Sequence, residues 1–99
     1  MADKKIIWSD NAKNELRNVL EFYNERNSSE HYSLKILNQI EQLLKTLSKS
    51  EFIGRLTSNK TTRVIPMKVY LIFYELNENS IEIVSFWDNR QDEYKKNIK

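Results

Sequence analysis

The sequence predicts an α+β fold in two layers, a two-helix antiparallel hairpin packed on one face of an antiparallel β-sheet. Apolar residues recur at helical spacing in two blocks: Ala12, Leu16, Val19, Leu20 and Tyr23, then Tyr32, Ile36, Ile40, Leu43, Leu44 and Leu47. Three runs dense in β-branched and aromatic residues follow, at 61–66, 69–76 and 80–87. Several of the segments joining these blocks are only a few residues long, so helix folds back on helix and strand on strand.

Each element has a local cause. Lys4 to Trp8 is a short β-favouring run that stops at Ser9. The Ser9 hydroxyl suits an N-cap, and Asp10 falls in the first turn, where its charge meets the positive end of the helix dipole. The first helix is expected over 10–26. Asn27-Ser28-Ser29 interrupts the stripe and offers the next cap, placing the second helix at 29–48. Ser48 to Asn59 reads as a loop holding Gly54-Arg55. Pro66 cannot donate to a ladder and belongs at a strand end or a sheet edge. The run at 69–76 suits a central strand, and Asn77-Glu78-Asn79 a turn into the last one. Both helices come from one block, so they cover the same face of the sheet. The other face is left partly open, and open faces of small domains are where binding is expected.

Composition narrows the function. The 99 residues, 39% hydrophobic and 11% aromatic, make one core and a single domain spanning 1–99. One Gly and one Pro leave little room for sharp turns and favour long regular elements. The absence of cysteine removes disulfides, a thiolate nucleophile and cysteine-ligated zinc, and the single His31 cannot build a histidine cluster. His31 falls in the first turn of the second helix, away from the open face, and reads as a solvated or capping residue. No cofactor or metal is expected. Ile6-Ile7-Trp8 is too short for a signal-peptide core, and no apolar run approaches a membrane span, so a cytoplasmic location without membrane association is expected. The net charge of +2 is weak. From Phe52 to Tyr74, however, there is no Asp or Glu, while Arg55, Lys60, Arg63 and Lys68 all occur there. This stretch either forms a local positive face or pairs with acids elsewhere in the fold.

Six features in order carry a resemblance that runs over nearly the whole chain. They are Trp8-Ser9 leading into Ala12, Leu16 and Tyr23; a long second helix; Gly54-Arg55; Arg63 early in the next strand; Tyr70-Leu71-Ile72-Phe73-Tyr74 followed by Ile81-Glu82-Ile83-Val84; and the closing Phe86-Trp87-Asp88-Asn89-Arg90-Gln91-Asp92. In this order and spacing the chain resembles the RelE/ParE superfamily of toxins from type II toxin–antitoxin systems. The resemblance implies neutralisation by a cognate antitoxin in a hetero-oligomeric complex, and a role of the plasmid-stabilisation kind. It also implies one of two targets. ParE-like members poison DNA gyrase and lack a nuclease set. RelE-like members are mRNA interferases that cut ribosome-bound mRNA without metal, using basic and aromatic residues of the open sheet face. A third possibility is a protein that keeps the fold as a non-toxic binding partner.

The candidate residues differ between these branches. A nuclease site would comprise Arg63 and Arg90 clamping a phosphate, Tyr94 offering a hydroxyl, and Lys60 as the nearby base. The structural alternative pairs the arginines with Glu75, Glu82 or Asp88 and uses Tyr94 to cap the core. Gly54 would supply a positive φ, and Arg55 would anchor its loop to Glu41 or Glu51. Tyr70, Ile72 and Tyr74 share one face of their strand, Leu71 and Phe73 the other; an exposed Tyr70 or Tyr74 would stack a base or an antitoxin side chain. The weak net charge and the sparse set of bases favour the gyrase-directed branch.

Overall fold

In the computed structural model, which describes residues 4–27 and 30–88, the chain runs β1 (Lys5–Trp8), α1 (Asp10–Asn27), α2 (His31–Lys49), β2 (Arg55–Leu56), β3 (Thr62–Met67), β4 (Tyr70–Leu76) and β5 (Ser80–Asp88). The strands form one sheet in the order β1-β5-β4-β3-β2. The antiparallel meander β3-β4-β5 is the expected one. Two additions complete it. β1 joins the edge of β5 in parallel, so the sheet is mixed. A parallel neighbour needs a long connection, and the helical hairpin and the other strands supply it. β2 pairs with β3 inside the segment expected to be loop; two residues are too short a run to signal a strand.

Ser9 caps α1 as expected, its Oγ accepting from the Ala12 amide at 3.0 Å. α2 begins at His31 with Glu30 at the N-cap position and no side-chain cap bond; Ser28 and Ser29, the expected cap, lie outside the described residues. Pro66 lies near the end of β3, beyond the part paired with β2, where its missing N–H faces no ladder.

Alternation along β4 turns Tyr70, Ile72 and Tyr74 toward the helices, where they meet Ile81, Ile83 and Phe86 of β5. Ala12, Ile36, Ile40 and Leu47 close the core from the helical side. The rings of Tyr70 and Phe86 stack at 5.0 Å, and the Tyr32 and Tyr70 hydroxyls lie 3.2 Å apart. Burial first, and the Tyr32 hydrogen bond second, push the Tyr70 phenol well above its ordinary pKa. Tyr70 and Tyr74 are 1% and 0% exposed, which removes both as stacking platforms for a base or a partner side chain.

A bulge on β5 fixes how α1 sits. Phe73 pairs with Ser85 and Tyr74 with Ile83, leaving Val84 as the extra residue. β1 stops pairing at Ile83, so the outer edge of β5 beyond it has no strand neighbour among the described residues. Side chains from the start of α1 take that place. Asn11 Nδ2 donates to the Val84 carbonyl at 3.1 Å, and Glu15 Oε1 accepts from Ser85 Oγ at 2.8 Å and from the Phe86 amide at 3.0 Å. The helix is thereby tied to the bulge by side chains that also satisfy its backbone.

Candidate functional site

Two surfaces and one internal clamp follow from this frame. The first surface is an apolar groove of about 480 Å³ lying over β1, where α1 and α2 diverge. Ile6 and Trp8 form its floor, Leu16 one wall, and Leu37, Ile40 and Leu44 the other, with Glu41 and Lys45 at the rim. It exists because α2 carries more apolar residues than the core uses. Ile36, Ile40 and Leu47 point inward, whereas Leu34 (61% exposed) and Leu37 remain in solvent. Among the described residues the outer edge of β1 beside the groove has no strand partner. An amphipathic helix with apolar residues at three- and four-residue spacing has the complementary shape.

The clamp joins the loop after α2 to the sheet. The Tyr74 hydroxyl donates to the Glu51 carbonyl at 2.8 Å and accepts from the Gly54 amide at 2.8 Å. Arg63, the cross-strand neighbour of Tyr74, donates from Nη1 to the Gly54 carbonyl at 2.8 Å. Its guanidinium lies 5.1 Å from the centre of the Phe52 ring. Lys4 closes the arrangement by pairing with Glu51 at 3.1 Å. Burial raises the pKa of the Tyr74 phenol, against the opposing effects of the Gly54 amide and Arg63.

Gly54 is required for a reason other than the one expected. Its φ is not positive. A Cβ there would lie 2.6 Å from the Tyr74 hydroxyl and 2.7 Å from ring atom Cε1, so the residue permits close approach. Arg55 does not anchor the loop either: it is exposed in β2, and Glu51 is taken by Lys4. Sequence reasoning missed Phe52 here, and missed that Glu51 pairs with Lys4 and that the Tyr74 hydroxyl holds the loop. The single glycine was the available signal, and it marks a contact made twenty residues away.

Of the four nuclease candidates, Arg63 and Lys60 lie within the described residues. Arg63 is on the helix-covered face and held by Gly54 and Phe52, not by Glu75, Glu82 or Asp88. Lys60 is exposed in the β2–β3 connection at φ 65°. Arg90 and Tyr94 lie outside the described residues. The strand that leads toward them ends at Asp88, level with Tyr70 and Met67. That level is four residues along β3 from Arg63, about 13 Å at the usual rise.

Among the described strand residues the face away from the helices is balanced rather than basic, with Lys5 and Arg55 on its two edge strands. Glu75 and Glu82 are cross-strand partners on it, and Glu75 Oε2 accepts from Thr62 Oγ1 at 2.7 Å. The cations of the acid-free stretch are dispersed: Lys60 and Lys68 sit in turns at opposite ends of β3, Arg55 on the edge strand, Arg63 beneath the loop. His31 is exposed in the first turn of α2.

Among the described residues no helix is long and apolar enough to cross a membrane. A search of curated proteins finds no match. Among solved structures, a chain described as "Chromosomal ParDE TA system from P. aeruginosa" superposes with a TM-score of 0.73 at 16% identity, covering 86% of this chain and 95% of that one. At that identity the likeness speaks for the fold. Residues 6–93 match the family described as "ParE toxin of type II toxin-antitoxin system, parDE". The match spans the helical hairpin and the whole sheet, and the chain therefore belongs to the ParE toxin family of type II toxin–antitoxin systems.

Proposed function

We propose that the protein is a cytoplasmic toxin that arrests growth by poisoning DNA gyrase, without a chemical step of its own, and that a cognate antitoxin neutralises it in a hetero-oligomeric complex. The observation that carries this over RNA cleavage is the disposition of charge on the sheet. Arg63 clamps a loop, and the centre of the open face presents Glu75 beside Glu82, with Lys5 and Arg55 only on its edge strands. Carboxylates there repel a phosphate backbone, whose neutralisation dominates affinity for RNA. The groove over β1 supports the antitoxin partner. Helix-in-groove binding, extended by strand addition at β1, accounts for the apolar side chains left exposed on α2. Such a complex is expected to bury more than about 1,000 Å².

One experiment separates the branches. The chain is expressed without antitoxin, and gyrase supercoiling, gyrase–DNA adducts and cleavage of ribosome-bound mRNA are followed together. Inhibited supercoiling with adducts and intact mRNA is the expected result. Cut mRNA with unaffected supercoiling assigns the protein to the interferase branch, with Arg63, Arg90, Tyr94 and Lys60 as its candidate site. A stable chain that arrests nothing but still binds the neighbouring-gene product identifies a non-toxic binding protein.

A further inference from the structure

The second surface is a rigid apolar knuckle on the α2–β2 loop. Phe52 (66% exposed), Ile53 (45%) and Leu56 (44%) present large apolar side chains to solvent. They are neighbours in space: Phe52 and Ile53 line one shallow depression with Lys49, Ser50 and Glu51, while Leu56 pairs across β2–β3 with Arg63, whose guanidinium covers one side of the Phe52 ring. The backbone beneath them is immobilised by Tyr74, through Gly54 and Glu51, and by Arg63 through Gly54. A loop held in this way loses little further freedom on binding, which is the property of a preformed docking element. Exposed large apolar side chains grouped on such a loop mark an interaction site.

The charge around the knuckle selects its partner. Lys49 is exposed at its margin and Arg63 lies within it, while Arg55 points from β2 to the opposite face of the sheet. The nearest acid, Glu51, is neutralised by Lys4, and the sequence holds no further Asp or Glu until Glu75. We infer that the knuckle is the surface by which the toxin grips the protein it inhibits, inserting Phe52 and Leu56 into an apolar socket rimmed by carboxylates. This rests on the proposed function in assuming a protein target. A second copy of the chain fits poorly, since a two-fold contact would set Lys49 and Arg63 against their own copies. A nucleic acid also fits poorly: the knuckle offers one ring, partly covered by Arg63, beside two aliphatic side chains that do not stack bases. The knuckle shares no lining residue with the groove over β1, so target and antitoxin use different surfaces.

The test uses the full chain as wild type, as Phe52→Ser/Leu56→Ser, as Lys49→Glu, and as the remote surface control Glu78→Ala. Thermal melting verifies folding; all the substituted side chains are exposed. Binding to purified DNA gyrase, to purified antitoxin and to duplex DNA is measured, with growth arrest in parallel. At least a tenfold loss of gyrase binding in the double variant is expected. Lys49→Glu is expected to show a smaller, salt-dependent loss, with antitoxin binding unchanged and Glu78→Ala like wild type. Undiminished gyrase binding by the double variant overturns the inference, as does loss of antitoxin binding to the same extent. Loss of only DNA binding, or a wild-type dimer that the double variant abolishes, also overturns it. If wild type arrests growth without binding gyrase, the gyrase assignment falls and growth arrest by the variants decides the knuckle: loss of arrest supports it, and persistence refutes it. If wild type neither binds gyrase nor arrests growth, both proposals fall.

Discussion

Gly54→Ala is a severe test of how the α2–β2 loop is held. The added methyl would lie 2.6 Å from the Tyr74 hydroxyl, 2.7 Å from Cε1 and 2.9 Å from Cζ, all inside van der Waals contact. Tyr74 cannot yield cheaply, being 0% exposed on a strand paired on both sides. The loop must move instead, breaking the Gly54 amide bond to the phenol and weakening the Tyr74–Glu51 and Arg63–Gly54 bonds. A buried hydroxyl deprived of its partners costs about 1–3 kcal/mol. Overpacking adds about 1–3 kcal/mol. The stiffer unfolded chain returns about 0.4–1 kcal/mol. The expected net loss is about 2–4 kcal/mol, a large part of the roughly 5–15 kcal/mol of a typical domain. Urea unfolding of wild type, Gly54→Ala and Tyr74→Phe measures it. Tyr74→Phe removes the hydroxyl but keeps the ring, and is expected to cost about 1–3 kcal/mol. In the Tyr74→Phe background Gly54→Ala must still cost energy, because Cε1 and Cζ remain in place. A Gly54→Ala protein within about 0.5 kcal/mol of wild type, the range of ordinary surface changes, would refute the close-approach account.

Other consequences are open to measurement. Glu15→Leu deprives Ser85 Oγ and the Phe86 amide of their acceptor and is expected to destabilise by about 2–4 kcal/mol, with faster hydrogen exchange at Phe86 than at Ile72; equal exchange would count against the bulge tie. Lys68 turns the β3–β4 hairpin at φ 59°, so Lys68→Gly is expected to raise stability by about 0.5–1 kcal/mol in denaturant titrations, the relief of left-handed strain less the entropy of glycine. The Tyr70 phenol titrates higher in the folded chain than in the unfolded one, so its contribution is intact below the ordinary tyrosine pKa of about 10 and is lost as pH rises beyond it. Tyr70→Phe should flatten the alkaline limb of the stability profile by up to about 1.4 kcal/mol per pH unit, and an unchanged limb would exclude Tyr70 as its source. Arg90→Ala should leave no chemical defect in a gyrase poison; loss of RNA cleavage by about 10²–10³ in that variant would instead mark a transition-state donor.

The sequence by itself determined the elements and their layering. The stripes through Ala12–Tyr23 and Tyr32–Leu47, the Ser9 cap and the three β-rich runs are local or periodic signals, and local signals survive in the linear chain. They were sufficient for the helical hairpin, the meander and the family, and alternation along β4 identified two faces without saying which was buried. Only the tertiary structure decided the rest, because it depends on contacts between residues distant in sequence. β1 joins β5 across most of the chain, and the two residues of β2 acquire strand geometry only by pairing with β3. The role of Gly54 depends on a phenol twenty residues later, and Arg63 meets a carbonyl rather than a carboxylate because the loop folds over its strand. The acid-free stretch around Arg55 and Arg63 was visible as charge, but strand register distributes it over both faces of the sheet and both ends of β3. Charge along a chain becomes a surface only when pairing assigns each side chain a face, and that assignment is a long-range property.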